Sequence, residues 1–156
     1  MLAGKRFATR STVIAVDTNL LVYAHRTDAA FRQPARATLE ALAVGRSAWA
    51  IPWPCVHEFI SVVTHPRIFK TPTPVEHALS QMQALVDLPQ VVMLSEGDGY
   101  LDRLSAVASP ARTQGGAIHD ARIAALCLYH GVTELWSADR DFTRFPTLAV
   151  RNPLMA

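Results

Sequence analysis

The order of apolar and polar positions divides the chain into alternating short and long segments. Residues 13–16 form a β-branched run that reads as a buried strand. Residues 48–51, 91–94 and 134–136 read the same way, and 148–150 is a candidate fifth strand. Between them lie stretches of helical character. Asp17, Thr18 and Asn19 are all helix-capping types, so residues 20–25 read as the first turns of a helix. Residues 31–44 are rich in Ala, Leu and Arg and stop at Gly45. Pro52 and Pro54 bracket the start of a helix with Val56, Phe59, Ile60 and Val63 at core spacing, ending before Pro66. Pro72 and Pro74 open another that runs to Leu88. Residues 97–108 are helical and 109–116 form a polar loop. Residues 117–129 read as a strong helix with Ile118, Ala121, Ala124, Ala125 and Leu128 on one face. Gly131 stands where a helix-terminating glycine is favoured. Residues 69–73 carry the weakest pattern and read as a loop or as a lid over a groove.

Strands and helices that alternate in this way argue for an α/β sandwich around a mostly parallel central sheet of four to five strands. The 156 residues fit one domain, and no repeat or linker divides them. We expect a flexible basic tail over residues 1–12 and a single domain over 13–156. The tail lacks the apolar stretch of a signal peptide. No apolar run approaches the roughly 20 residues that span a bilayer, so no membrane role is expected.

Composition sharpens this picture. Half the residues are apolar, enough for a real core, and the formal charge is only +2. The distribution matters more than the sum. If Asp17, Glu58, Asp120, Asp139 and Asp141 line one pocket, 8 acids remain against 15 Lys and Arg, and the rest of the molecule is +7. Thirteen of those basic residues are Arg, whose planar fork suits phosphate oxygens. A negative pocket on a basic body suits a polyanion bound through metal. Cys55 and Cys127 sit in no metal-ligand or redox spacing and read as small buried side chains of a reducing compartment, hence a cytoplasmic protein.

The acids carry the candidate chemistry. In open α/β sheets, ligands bind outside the carboxyl ends of the strands. Asp17 directly follows the first strand and Asp139 follows the fourth. Asp120 lies in the first turn of its helix, and Glu58 sits early in the helix that Pro54 opens. Each has a plainer reading: Asp17 as a helix cap, Glu58 as a solvated helix residue, Asp120 as a favourable charge at a helix start, Asp139 and Asp141 as a surface turn. Their joint placement is what argues for a site. Converging carboxylates repel one another unless a cation joins them. Mg²⁺ or Mn²⁺ is the natural cation for oxygen ligands, able to activate water against a phosphodiester.

Val16-Asp17-Thr18-Asn19, Glu58, the run from His119 through Asp120, Ala121 and Arg122 to Ala125, and Ser137-Ala138-Asp139-Arg140-Asp141-Phe142 resemble, in order and spacing, the motifs of PIN-domain nucleases. The likeness is greatest to the VapC-like toxins of bacterial toxin–antitoxin pairs. Trp136, Phe145, Asn152, Pro153 and Leu154 add to it, and it covers nearly the whole chain. The resemblance implies a PIN-like three-layer α/β/α sandwich and a divalent-metal-dependent RNA endonuclease. It implies that Asp17, Glu58, Asp120 and Asp139 form the acidic quartet. Asp17 and Asp120 would bind the metal, with Asp139 bound directly or through water. Asn19 and Ser137 would orient the acids or the attacking water, with Asp141 as a further acid. A cognate antitoxin and a homodimer are also implied.

Arg122, Arg140 and Arg144 lie near the acids in sequence and are candidate phosphate contacts. His119 and His57 stand beside acids, although a surface histidine is the commoner role. Trp49, Trp53 and Trp136 read as core or interface residues. Three rivals remain at this level. One is a catalytically silent protein of the same fold that binds RNA or a partner. Another is a Mg²⁺-dependent phosphatase with Asp17 as nucleophile, for which Asn19 stands where a second acid would be needed. A nuclease acting on DNA is the third.

Overall fold

The computed structural model describes residues 12–155. The expected basic tail falls, apart from Thr12, outside the described residues. Five strands, β1 (Ile14–Val16), β2 (Trp49–Pro52), β3 (Val91–Leu94), β4 (Glu134–Trp136) and β5 (Val150–Arg151), form one sheet in the order β3-β2-β1-β4-β5. Every neighbouring pair is parallel. Ala15 and Val16 in β1, and all four residues of β2, are buried in succession, so the sheet is covered on both faces. The α/β sandwich is therefore as expected, with a sheet that is wholly parallel.

Six helices supply the cover: α1 (Thr18–His25), α2 (Arg32–Val44), α3 (Trp53–Val63), α4 (Val75–Val86), α5 (Tyr100–Ala108) and α6 (Ile118–Tyr129). Helix α1 packs on α2 and α3, α3 on α4, and α5 on α6. Two starts fall later than the apolar pattern suggests. Pro74 caps α4, which begins at Val75 rather than at Pro72. Gly99, at φ 77°, lies in the left-handed region, so α5 cannot extend back to Gly97. The fifth strand is shifted to Val150–Arg151. Helix α6 ends as expected: the Gly131 amide donates to the Leu128 carbonyl and the Val132 amide to the Cys127 carbonyl, the paired closure of a Schellman turn.

One expected face needs correction. Ile118 is 37% exposed, whereas Ala121, Ile123, Ala124, Ala125, Leu126 and Cys127 are all buried. The short 3₁₀ turn Gly115–Ala117 brings the chain in at the surface, so the first turn of α6 stands at a rim. Past that turn the helix is buried nearly all round. A single stripe at helical spacing therefore understates its burial.

The strand order sets the place of the site. The chain runs from β1 through β2 to β3 on one side, then crosses back to lay β4 on the other side of β1. The order reverses between β1 and β4, and a crevice opens there beyond their carboxyl ends. The Asp17 amide donates to the Trp136 carbonyl at 3.0 Å, closing the ladder just where both strands end.

Candidate active site

Four elements deliver one acid each to that crevice. Asp17 leaves β1 and takes the N-cap position of α1, yet its side chain caps nothing. Its Oδ2 instead accepts from Ser137 Oγ at 2.7 Å, and its Oδ1 faces Cys55 Sγ at 3.6 Å. Glu58 comes from the second turn of α3, where Thr18 Oγ1 donates to its Oε2 at 2.5 Å. Asp120 belongs to the first turn of α6. Asp139 follows β4 and caps the 3₁₀ turn Arg140–Arg144 by accepting from the Asp141 amide at 2.8 Å. All four acids line one cleft of about 360 Å³, with Thr18 and Asn19 in its wall and Val22, Tyr23, Val62, Ile68 and Phe69 as its apolar side.

The two polar residues named with the acids, Ser137 and Asn19, lie beside them and are bonded to each other. Ser137, 2% exposed, donates to Asp17 and accepts from the Asp139 amide at 3.0 Å, tying the two acids to one hydroxyl. Asn19 Nδ2 donates to Ser137 Oγ at 3.4 Å, and its Oδ1 accepts from the Ala138 amide at 3.2 Å. Asp141 is exposed and lies outside the cleft wall, but its carboxylate comes within 4.8 Å of those of Asp120 and Asp139.

The electrostatics follow from this crowding. Burial pushes the Asp17 carboxyl up to about 6, against the hydrogen bonds that favour its charged form, and Glu58 adds repulsion. Asp120 is raised as well, first by burial and then by Asp139, Glu58 and Asp141, with Arg144 acting in the opposite direction. Among the described residues no Lys or Arg pairs with any of the five acids. A buried carboxylate without a counter-charge is costly, and a bound cation would offset that cost. The donors are oxygens, which fits a hard divalent ion. Cys55 lies within 4.8 Å of Asp17 and Glu58, but burial and the neighbouring acids hold its thiol well above its usual range. It is a donor to Asp17 rather than a thiolate ligand.

The expected phosphate contacts are spread around this cleft. Arg122 borders a second groove of about 240 Å³, shared with Glu58, His57 and His119, and its Nε pairs with Glu96 Oε1 at 2.7 Å. Arg144 is near enough to lower Asp120, while Arg140 stands exposed at the start of the 3₁₀ turn. Trp49 is buried, Trp53 is 37% exposed, and Trp136 is half-buried beneath the Arg151 guanidinium. Two larger grooves, about 480 Å³ each, lie around His25 and His77. Neither gathers more than one carboxylate, so size does not mark the chemistry here. Thr18, present in the first motif but given no role there, and Cys55, read only as a small buried side chain, are the two residues whose contacts with the acids the motifs do not assign.

Comparison with known proteins agrees with the geometry. The chain is 37% identical over 142 residues to a VapC ribonuclease of Mycobacterium bovis, covering 91% of this chain and 96% of the relative. It is 30% identical over 137 residues to ribonuclease VapC48 of Mycobacterium tuberculosis, covering 88% and 94%. Among solved structures, VapBC2 from Rickettsia felis bound to a promoter DNA fragment shares the fold with a TM-score of 0.67 at 18% identity, over 90% of this chain and 98% of the other. VapC20 of Mycobacterium tuberculosis, a toxin that cleaves the sarcin-ricin loop, does so at 0.58 and 14%, over 83% and 92%. The PIN domain matches residues 14–148, a span that contains all four converging acids, and the chain belongs to the PIN-domain family.

Proposed function

We propose that this chain is a divalent-metal-dependent endoribonuclease and the toxin of a toxin–antitoxin pair. The observation that carries the reading is the meeting of Asp17, Glu58, Asp120 and Asp139 in one cleft, with no Lys or Arg in an ion pair with any of them among the described residues. RNA is the proposed substrate because relatives that align over nearly their whole length are named ribonucleases. Solved neighbours described as VapBC complexes motivate an antitoxin partner, and a homodimer is part of the same proposal. Among the described residues, no helix is long and apolar enough to cross a membrane.

Asp17, Asp120 and Asp139 are the proposed ligands, for Mg²⁺ or Mn²⁺. When bound, the ion supplies positive charge at the scissile phosphate and acidifies water in the site. The chain's own residues set the geometry. Ser137 and Cys55 hold the two oxygens of Asp17, and the Ser137 hydroxyl also fixes the loop that carries Asp139. Thr18 occupies Oε2 of Glu58 and leaves Oε1 to accept a hydrogen bond from the attacking water. Arg140 and Arg144 are proposed to meet the flanking phosphates. Arg122 pairs with Glu96 through Nε, which leaves its terminal nitrogens for the same purpose.

The test is cleavage of a mixed RNA pool by the purified chain with Mn²⁺, beside matched DNA and beside Asp120→Asn. Cleavage of RNA by the unmutated chain alone is the expected result. Sequencing the new 5′ ends identifies the target. An Asp120→Asn protein that cleaves at the unmutated rate refutes the assignment.

A further inference from the structure

The acids leave one side of the cleft unexplained. A site built only for a cation and a phosphate needs no apolar wall, yet Tyr23, Ile68 and Phe69 line the same cleft as the carboxylates. Ile68 is 55% exposed, so core packing does not account for it. The segment that carries it reads Arg67-Ile68-Phe69-Lys70, two apolar side chains between two exposed cations.

This segment is held in place rather than left loose. Arg26, 7% exposed, lays its guanidinium over the Phe69 ring at 4.0 Å. The same group donates to the Thr71 carbonyl at 2.8 Å and to Thr73 Oγ1 at 3.3 Å, and the Thr73 amide donates to the Val63 carbonyl at 2.8 Å. One face of Phe69 is thus occupied by Arg26, and the segment is pinned between the end of α1 and the end of α3. A wall fixed in this way loses little freedom when a ligand lies against it.

We propose that Tyr23, Ile68 and Phe69 form a nucleobase-binding wall, on which an unpaired base beside the scissile phosphate rests while Arg67 and Lys70 meet the neighbouring phosphates. The proposal rests on the nuclease reading and adds to it the surface that receives the base. A phosphodiester at the acids carries its nucleosides directly alongside, and apolar or aromatic surfaces flanked by cations are how single strands are gripped without regard to sequence. Flanking positive charge also opposes a basic peptide in the same place. Arg26 acts here as a positioning residue.

Binding of labelled single strands to the full chain carrying Glu58→Gln, which slows cleavage and keeps the three proposed metal ligands, tests the wall with Mn²⁺ present. The probes are oligo(A) and a strand with the same sugar–phosphate backbone but no bases. Oligo(A) binds about ten-fold more tightly than the abasic strand if the wall receives bases. Adding Ile68→Ser, at an exposed position, removes most of that preference. Phe69→Leu reduces it, and Arg67→Glu weakens both strands alike. Equal binding of the two strands, or a preference untouched by Ile68→Ser, overturns the proposal. If Ile68→Ser spares the base preference and instead abolishes binding of the antitoxin, the wall belongs to the protein partner and the proposal likewise falls. Failure of the nuclease reading shows elsewhere, as absence of RNA cleavage by the unmutated chain.

Discussion

Among the four acids only Asp17 is fully buried, at 4% exposed, and it has no cationic partner among the described residues. Its carboxyl is pushed up to about 6, well above its value in an unfolded chain. The folded state therefore holds a proton there that the unfolded state releases, and stability falls as pH rises from about 4 to about 6. At neutral pH the ionised group costs the metal-free protein about 3 kcal/mol. Asp17→Asn carries no charge at any pH and keeps an acceptor for Ser137. We expect it to stabilise the metal-free protein by about 2 kcal/mol near neutrality, little near pH 4, and to abolish cleavage. Urea unfolding at the two pH values checks this, and a variant less stable at neutral pH contradicts it. Thr18→Val tests the partner of Glu58. It keeps the shape of α1 but frees Glu58, and we expect cleavage to slow by about ten-fold with the fold intact, read from single-turnover rates beside circular dichroism. The acids themselves were legible because each sits at a strand end or helix start where its residue type is informative. Thr18 and Cys55 were not, since they lie 40 and 38 positions from the acids they touch, and nothing local marks that closeness.

At the scale of elements, periodic stretches with strong punctuation read cleanly. Strands β3 and β4 lie where the apolar runs put them, and the end of α6 is set by Gly131 at φ 74°. Elements fixed by tertiary contact read poorly. Arg140–Arg144 forms a 3₁₀ turn because Asp139 caps it and Phe142 and Phe145 anchor it in the core, which four polar residues around one Phe do not announce. The segment between α3 and α4 is the clearest case. Its sequence has no periodicity, yet it is tied down by side chains reaching from the end of α1. Arg26 donates to Asp28, Thr71 and Thr73 and lies over Phe69, while His25 pairs with Thr73 at 2.9 Å. Arg26→Met keeps the length of the stem and removes the donors. We expect a loss of about 2 kcal/mol in stability and a selective rise in proteolysis within residues 64–74. Mass spectrometry of a timed digest locates the new cuts. Cuts spread evenly over the chain point to global unfolding and not to a local pin.

For the whole molecule, the parallel sheet and the charge layout act together. The strand order β3-β2-β1-β4-β5 places Asp17 and Asp139 side by side at its reversal, and α3 and α6, which pack against each other, bring Glu58 and Asp120 to the same edge. The fold thus concentrates carboxylates on a chain whose net charge is +2, leaving the remaining surface basic. Such an arrangement stores repulsion in the metal-free state, so cation binding and stability are coupled. A ligand that binds only the folded protein stabilises it by about 3 kcal/mol at a hundred times its dissociation constant, which for a chain of this size raises Tm by about 5–10 °C. We expect Mn²⁺ to produce a shift of that order near pH 7.5, reversed by a chelator. Near pH 5 the Asp17 carboxyl is mostly protonated, burial and the neighbouring acids raise the Asp120 carboxyl as well, and protons then compete with the ion. The shift should shrink there, and it should nearly vanish in Asp120→Asn at either pH. Thermal scans with and without Mn²⁺ at the two pH values, on both proteins, measure all of this. Equal shifts at both pH values, or an undiminished shift in Asp120→Asn, would place the ion somewhere other than among these acids.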